Sequence, residues 1–321
     1  MHRRKDFFCR ALTFIFFCKI RYGAKPLPGA KIGSYGSFWV QKTSKRQETE
    51  GFFHRNLDFH KFALPMKALE VLLEEAVCRY NTVAFIEGDP ICVPHRFQRL
   101  QDREIAGFWA ATLAWGQRKA IVQSALRAME LMDWAPYDFV CGHSESDRRR
   151  FERYYHRTFQ ATDALYFLSF FQAYYRKHGS LETAFAQYLL PDDLTVERAL
   201  VGFHRLFFSL PWVPERTRKH VATPERGATC KRLNMFLRWM VRRDDAGVDF
   251  GLWRRIRPSQ LLLPLDVHVE RVARRLGLLQ RRQTDWKAVL ELTDKLRTFD
   301  PDDPAKYDFA LFGLSMHSND R

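Results

Sequence analysis

The spacing of apolar residues constrains this chain more than any other feature, because from Met66 onward it repeats with the period of an α-helix. In the first such segment the apolar positions of one helical face are Leu69, Leu72, Leu73, Ala76, Val77 and Tyr80. The same period recurs along the rest of the chain, without β-hairpin or βαβ alternation. We therefore expect an all-α fold of roughly ten helices, which tends to divide into two lobes at this size.

Three polar residues stand where predicted helices should begin. Asp102 precedes the apolar pattern of 103–115, and Thr229 precedes the pattern of 230–243. Asp266 precedes a third pattern, which Gly277 closes. Asp and Thr side chains accept hydrogen bonds from the first free N–H groups of a helix, so we expect all three to be N-caps.

A tight turn is predicted at 224–228, where Pro224 is followed by Gly227. The turn leads into the N-terminus of the helix that carries Lys231. Free backbone N–H groups at such a position can bind an anion such as a phosphate.

Positive charge is concentrated at the start of the chain. The whole sequence has 52 Lys and Arg against 37 Asp and Glu, a net charge of +15. Residues 1–65 hold 13 basic and 4 acidic residues, a net +9, together with ten of the 28 Phe. We expect this segment to be either a disordered basic extension or the result of a start site set too early, and 66–321 to be the folded domain. A basic arm that follows phosphates is the alternative.

Several classes of protein are excluded by composition. With 46% hydrophobic residues the chain can form a core, so global disorder is excluded. The six cysteines form no CxxC motif and no zinc spacing with histidine, so we expect no metal site and free thiols. No run of about 18 uncharged apolar residues is present, so we expect no membrane-spanning helix and a cytoplasmic location.

The segment from Leu265 to Leu278 carries the most specific motif. Its Leu-Asp-Val-His-Val start and Arg-Val-Ala-Arg-Arg-Leu-Gly-Leu continuation resemble the signature of the helix-hairpin-helix DNA glycosylases. The stretches 230–240, 249–253 and 307–313 resemble a bacterial family of uncharacterised conserved proteins related to that superfamily. Together the motifs cover the chain from Met66 to about Leu314.

The resemblance implies a two-lobed helical fold with a cleft between the lobes. It also implies that Lys231 attacks the sugar C1′ to form a Schiff base, and that Asp266 stabilises positive charge on the sugar. An amine is nucleophilic only when deprotonated, and a carboxylate beside an oxocarbenium-like centre lowers the barrier. Lys231 and Asp266 are 35 positions apart, an interval similar to that of the archaeal oxoguanine-glycosylase branch.

The resemblance further implies a monomer that acts on duplex DNA with a damaged or abasic nucleotide and is associated with the nucleoid. Because no cysteine follows Cys230, we expect no iron–sulfur cluster and no other cofactor. Expected DNA contacts are Arg226, Gly227, Thr229, Arg232, His268, Arg271 and Arg274. Expected base-pocket residues are Gln117, Trp115, Asp308 and Phe312.

Each of these residues also has an ordinary structural interpretation. Asp266 can be only a helix cap, Lys231 can contact phosphate or solvent, and the arginines can form a solvated face. Gln117 can be a turn residue, and the aromatic residues, including Trp239, can belong to the core. Asp308 can pair with a helix dipole. Two other functions stay open at this point: a non-catalytic DNA- or RNA-binding module of the same fold, and an adaptor that binds an acidic protein.

Overall fold

Helices make up the regular secondary structure of the protein over residues 65–316, the range that a computed structural model describes. Within this range there is no β-strand, only an isolated bridge between His156 and Phe159. The all-α prediction is therefore confirmed. The predictions for the leading segment fall on residues outside the described range, apart from Pro65, and stay predictions.

Twelve α-helices follow one another in this range. They are α1 (Met66–Tyr80), α2 (Leu100–Thr112), α3 (Arg118–Leu131), α4 (Pro136–Gly142), α5 (Glu145–Arg148), α6 (Ala161–Tyr175), α7 (Glu182–Ala186), α8 (Glu197–Phe207), α9 (Lys231–Val241), α10 (Val267–Arg275), α11 (Trp286–Arg297) and α12 (Tyr307–Met316). Short 3₁₀ segments connect them at Val83–Ile86, Pro90–Cys92, Pro94–Arg96, Arg149–Phe151, Glu215–His220, Pro224–Arg226, Pro258–Gln260 and Pro304–Lys306.

Helices α9 and α12 each pack against other helices of the fold. Helix α9 packs against α2, and α12 packs against both α1 and α10. The contact between α12 and α1 depends on Gly313, because a Cβ atom there would lie 2.1 Å from the ring of Tyr80. The apolar stripe predicted for α9 is buried, and Trp239 is a core residue as predicted.

One of the three predicted N-caps is confirmed and two are wrong. Asp266 caps α10 through hydrogen bonds from two backbone N–H groups. Helix α2 begins at Leu100, ahead of Asp102, whose carboxylate instead accepts the N–H of Tyr137 at 2.9 Å and so ties α2 to α4. The N-cap of α9 is Cys230, not Thr229, and no side chain caps this helix.

None of the helices in residues 65–316 is long and apolar enough to cross a membrane.

Candidate functional site

Two helix N-termini meet at the candidate site. Lys231 is the first residue of α9, and Asp266 is the residue that caps α10. Lys231 Nζ lies 3.8 Å from Asp266 Oδ2, although the residues are 35 positions apart. Their side chains are 23% and 25% exposed, so the pair is sheltered but open to a ligand.

The two carboxylate oxygens of Asp266 have different partners. Oδ1 accepts the N–H groups of His268 and Val269 at 2.9 and 3.0 Å, which caps α10. Oδ2 is the atom that faces Lys231. The capping and the functional interpretations of Asp266 are therefore compatible, since each uses a different oxygen.

Asp308 lies in the same neighbourhood, in the first turn of α12. Burial raises the pKa of its carboxyl group to about 6, against the opposing charge of Arg238, and nearby Asp266 raises it further. Arg238 forms an ion pair with Asp308, but Arg238 Nε also lies 3.3 Å from Asp249 Oδ1. Because one guanidinium serves two buried carboxylates, the ion pair does not fully offset the burial of Asp308.

Asp89 is a further buried carboxylate near the site, and sequence reasoning missed it. Its Oδ1 accepts the N–H of Ile91 at 3.1 Å, at the start of a 3₁₀ turn. Burial raises the pKa of Asp89, and the hydrogen bond from Ile91 opposes that increase. The charges of Arg238, Arg118 and Lys231 also oppose it. The sequence Gly-Asp-Pro signals only a chain break, which is why the residue was not singled out.

Buried ion pairs connect α9, and the arginine that follows it, to other segments of the chain. Arg242 contacts Asp303 at 2.8 Å and Asp249 at 3.2 Å, and Asp249 in turn contacts Arg238. Both arginines are almost fully buried. The guanidinium of Arg238 also stacks on the ring of Phe309, 4.2 Å from its centroid. This network joins α9 to α12 and so holds the helix that carries Lys231.

Arg118 stacks on Phe312, one of the predicted base-pocket residues. Its guanidinium lies 4.6 Å from the ring centroid of Phe312, and Arg118 follows Gln117, the exposed residue that precedes α3. Since the charge of Arg118 also lowers the pKa of Asp89, the start of α3 lies near the group formed by Lys231 and the acidic residues.

Trp115 and Arg232 form a separate stack. The guanidinium of Arg232 lies 4.9 Å from the Trp115 ring centroid and donates to the carbonyls of Thr112 (2.7 Å) and Lys219 (3.3 Å). Burial lowers the pKa of Arg232 to about 10. Trp115 stacks in turn on His220 at 5.7 Å. Arg232 thus joins three segments of the chain, and the phosphate contact expected of it stays a prediction.

The turn at 224–227 exists, but its N–H groups are already used. Gly227 adopts φ +71°, a conformation that glycine allows. The N–H groups of Arg226 and Gly227 donate to the carbonyls of Thr223 and Pro224. These two N–H groups are therefore not free to bind an anion, and the predicted anion site as a whole stays a prediction. The open N–H groups belong to the first turn of α9, which has no side-chain cap.

The basic face of α10 is partly occupied. Arg274 pairs with Glu270 at 2.8 Å and donates to the carbonyl of Arg282 at 3.0 Å, which ties α10 to the following loop. Arg271 is exposed and His268 is half-buried. Thr229 is half-buried, and its carbonyl accepts Asn234 Nδ2 at 3.1 Å.

Within residues 65–316 no group of three or more His, Cys, Asp or Glu side chains is arranged to hold a metal ion.

Comparison with known proteins places the chain in a family. No curated protein and no solved structure matches it significantly. A family described as a protein of unknown function, DUF2400, matches residues 89–317, which include Lys231, Asp266, Asp308 and Asp89. The prediction of an uncharacterised conserved family is thus confirmed, whereas its relation to the glycosylases stays a prediction. Because the match covers more than half of the sequence, the chain belongs to the DUF2400 family.

Proposed function

We propose that this protein is a DNA base-excision enzyme related to the helix-hairpin-helix DNA glycosylases, with glycosylase and abasic-site lyase activity. One observation carries the proposal: Lys231 Nζ lies 3.8 Å from Asp266 Oδ2 at the converging N-termini of α9 and α10. The two-lobed arrangement with a DNA-binding cleft belongs to the same proposal.

Lys231 acts as the nucleophile. Its uncharged amine attacks C1′ of the target nucleotide, the C1′–N glycosidic bond breaks, and the base leaves with the bonding electrons and takes up a proton. Opening of the sugar ring then gives an iminium between Nζ and C1′. Loss of a C2′ proton and of the 3′ phosphate cleaves the strand, and water releases the amine.

Asp266 supports this chemistry through Oδ2. The carboxylate stabilises the positive charge that develops on the sugar, and it is the group beside Nζ that can accept a proton from the amine. The cap formed by Oδ1 fixes the rotamer of the side chain, so no reorganisation is needed when the charge develops.

Asp308 is the residue to which this proposal assigns the supply of a proton. A carboxyl group with a pKa raised to about 6 holds its proton at weakly acidic pH and can give it to a leaving base near neutral pH. The aromatic ring of Phe312 beside Arg118 offers a surface on which an extruded base can stack.

The test is release of the base from duplexes that each carry one damaged nucleotide. Asp266→Asn should slow release about a hundredfold or more, whereas Asp285→Asn should leave it unchanged. Asp285 is the matched control because it is also an Asp N-cap, in this case of α11. Tight, salt-dependent binding of every duplex without release of any base would contradict the proposal. That result would favour the non-catalytic nucleic-acid-binding function instead.

A further inference from the structure

A polar pocket, separate from the site of Lys231 and Asp266, lies beside the turn at 224–227. It has a volume of about 290 Å³ and is open to solvent on one side. Its walls come from the end of α8, the 3₁₀ segment Glu215–His220 and the turn itself. The lining residues are His204, Arg205, Phe208, Arg218, Thr223, Glu225 and Arg226. Neither Lys231 nor Asp266 is among them.

The pocket has an excess of positive charge. Arg205 pairs with Glu225 in the wall of the pocket. Arg218 pairs with Glu215 at 2.9 Å, but that carboxylate is 84% exposed and therefore neutralises little of the charge. The guanidinium of Arg226 has no hydrogen bond or ion pair within residues 65–316. Three arginines thus face one acidic residue of the lining.

Two polar side chains of the pocket have hydrogen-bonding groups that are left for a ligand. His204 is more than nine-tenths buried, and its ring nitrogens have no hydrogen-bond partner in the described part of the chain. Burial lowers the pKa of His204, and the charges of Arg226 and Arg218 lower it further. Thr223 Oγ accepts the N–H of Glu225 at 3.4 Å, so its own hydroxyl proton can be donated elsewhere.

The shape of the pocket limits what can bind. Phe208 belongs to the wall but is buried: its ring stacks on Tyr166 with centroids 5.8 Å apart, and the guanidinium of Arg218 lies 5.1 Å from its centroid. The volume is at the lower end of the range for small-ligand sites, roughly 300 Å³. A small anion with several acceptor oxygens satisfies the donors of the pocket.

We propose that this pocket is a phosphate site. The planar guanidinium groups can bind phosphate oxygens in pairs, and the donors of Thr223 and His204 complete the set. The phosphate belongs either to a free phosphorylated molecule such as a nucleotide or to the backbone of a nucleic-acid strand. The second source rests on the proposed function, whereas the site itself does not.

The experiment measures binding of inorganic phosphate and of a deoxynucleoside monophosphate to the full chain by calorimetry, with NaCl matching the ionic strength. We expect saturable binding, and at least tenfold weaker binding in Arg226→Ala. Arg198→Ala is the control, because Arg198 is an exposed arginine of α8, the helix whose end lines the pocket, and does not itself line it. It should bind within twofold of the wild type. Absence of saturable binding, or equal weakening in both variants, would overturn the proposal.

A second arm identifies the source of the phosphate. If the site takes a strand phosphate, Arg226→Ala weakens binding of an abasic-site duplex about tenfold and inorganic phosphate competes with the duplex. If the site takes a free molecule, Arg226→Ala loses the mononucleotide and binds the duplex as the wild type does. Both results support the site. Neither depends on base release, so failure of the proposed enzyme activity is detected separately.

Discussion

Substitution of Asp266 separates its two roles. Asp266→Ala removes both hydrogen bonds that cap α10, from His268 and from Val269. Loss of an Asp cap costs about 1–2 kcal/mol of unfolding free energy, which corresponds to a fall in Tm of roughly 2–8 °C in a domain of this size. Asp266→Asn retains a carbonyl oxygen for the same two N–H groups, so its stability should stay within about 0.5 kcal/mol of the wild type.

Catalysis should respond differently from stability. Asparagine has no charge to place beside Lys231 or the sugar, so base release should fall about a hundredfold or more in both variants. Denaturant unfolding and single-turnover base release, measured on the same samples, compare the two effects. If Asp266→Asn is as unstable as Asp266→Ala, the division of roles between Oδ1 and Oδ2 is refuted. If Asp266→Asn is fully active, the catalytic role is refuted.

Three further predictions concern the stability of the helices around the site. The pKa of Asp308 is raised to about 6 from 3.8, so the protonated carboxyl group contributes its full stabilisation below pH 4, and this stabilisation is lost as the pH rises through 6. In urea unfolding across this range, the unfolding free energy of Asp308→Asn should rise by up to about 3 kcal/mol relative to that of the wild type. Parallel pH profiles of the two proteins would contradict this. Arg238→Gln leaves the buried Asp308 without its arginine and Asp249 with Arg242 alone, which should cost about 3–5 kcal/mol; a loss under 1 kcal/mol would mean that the ion pairs do not hold α9. Gly313→Ala should cost about 1–3 kcal/mol in thermal unfolding because of Tyr80, whereas Gly142→Ala, with open space around it, should be nearly neutral; equal effects would refute the close contact of α12 and α1.

Apolar periodicity was sufficient to predict the helices. The pattern that starts at Leu69 predicts α1, and the pattern on Ile121, Ala125 and Ala128 predicts α3. Both follow because the apolar residues on the buried face of a helix recur about every 3.6 residues. Helix starts were harder to predict. Asp102 has the right residue type for a cap, but a contact with the neighbouring helix determines what it binds. Tertiary contacts of that kind leave no local pattern in the sequence.

The candidate site was predictable only in part. Lys231 and Asp266 were paired through a resemblance in motif, and no periodicity brings residues so far apart in sequence together. Arg238 lies on the charged face of α9, which in an isolated helix reads as solvated. In the protein it is buried between acidic residues from other segments, and Asp89 is drawn into the same group.

Covalent trapping tests the central claim most directly. The protein is incubated with an abasic-site duplex and borohydride, which reduces an iminium to a stable amine, and the adduct is mapped by mass spectrometry. The adduct should map to Lys231 and should be absent in Lys231→Ala. Lys287→Ala serves as the control, because Lys287 is an exposed lysine in the first turn of α11, and it should trap as the wild type does. An undiminished adduct in Lys231→Ala, or one that maps to another lysine, would contradict the account.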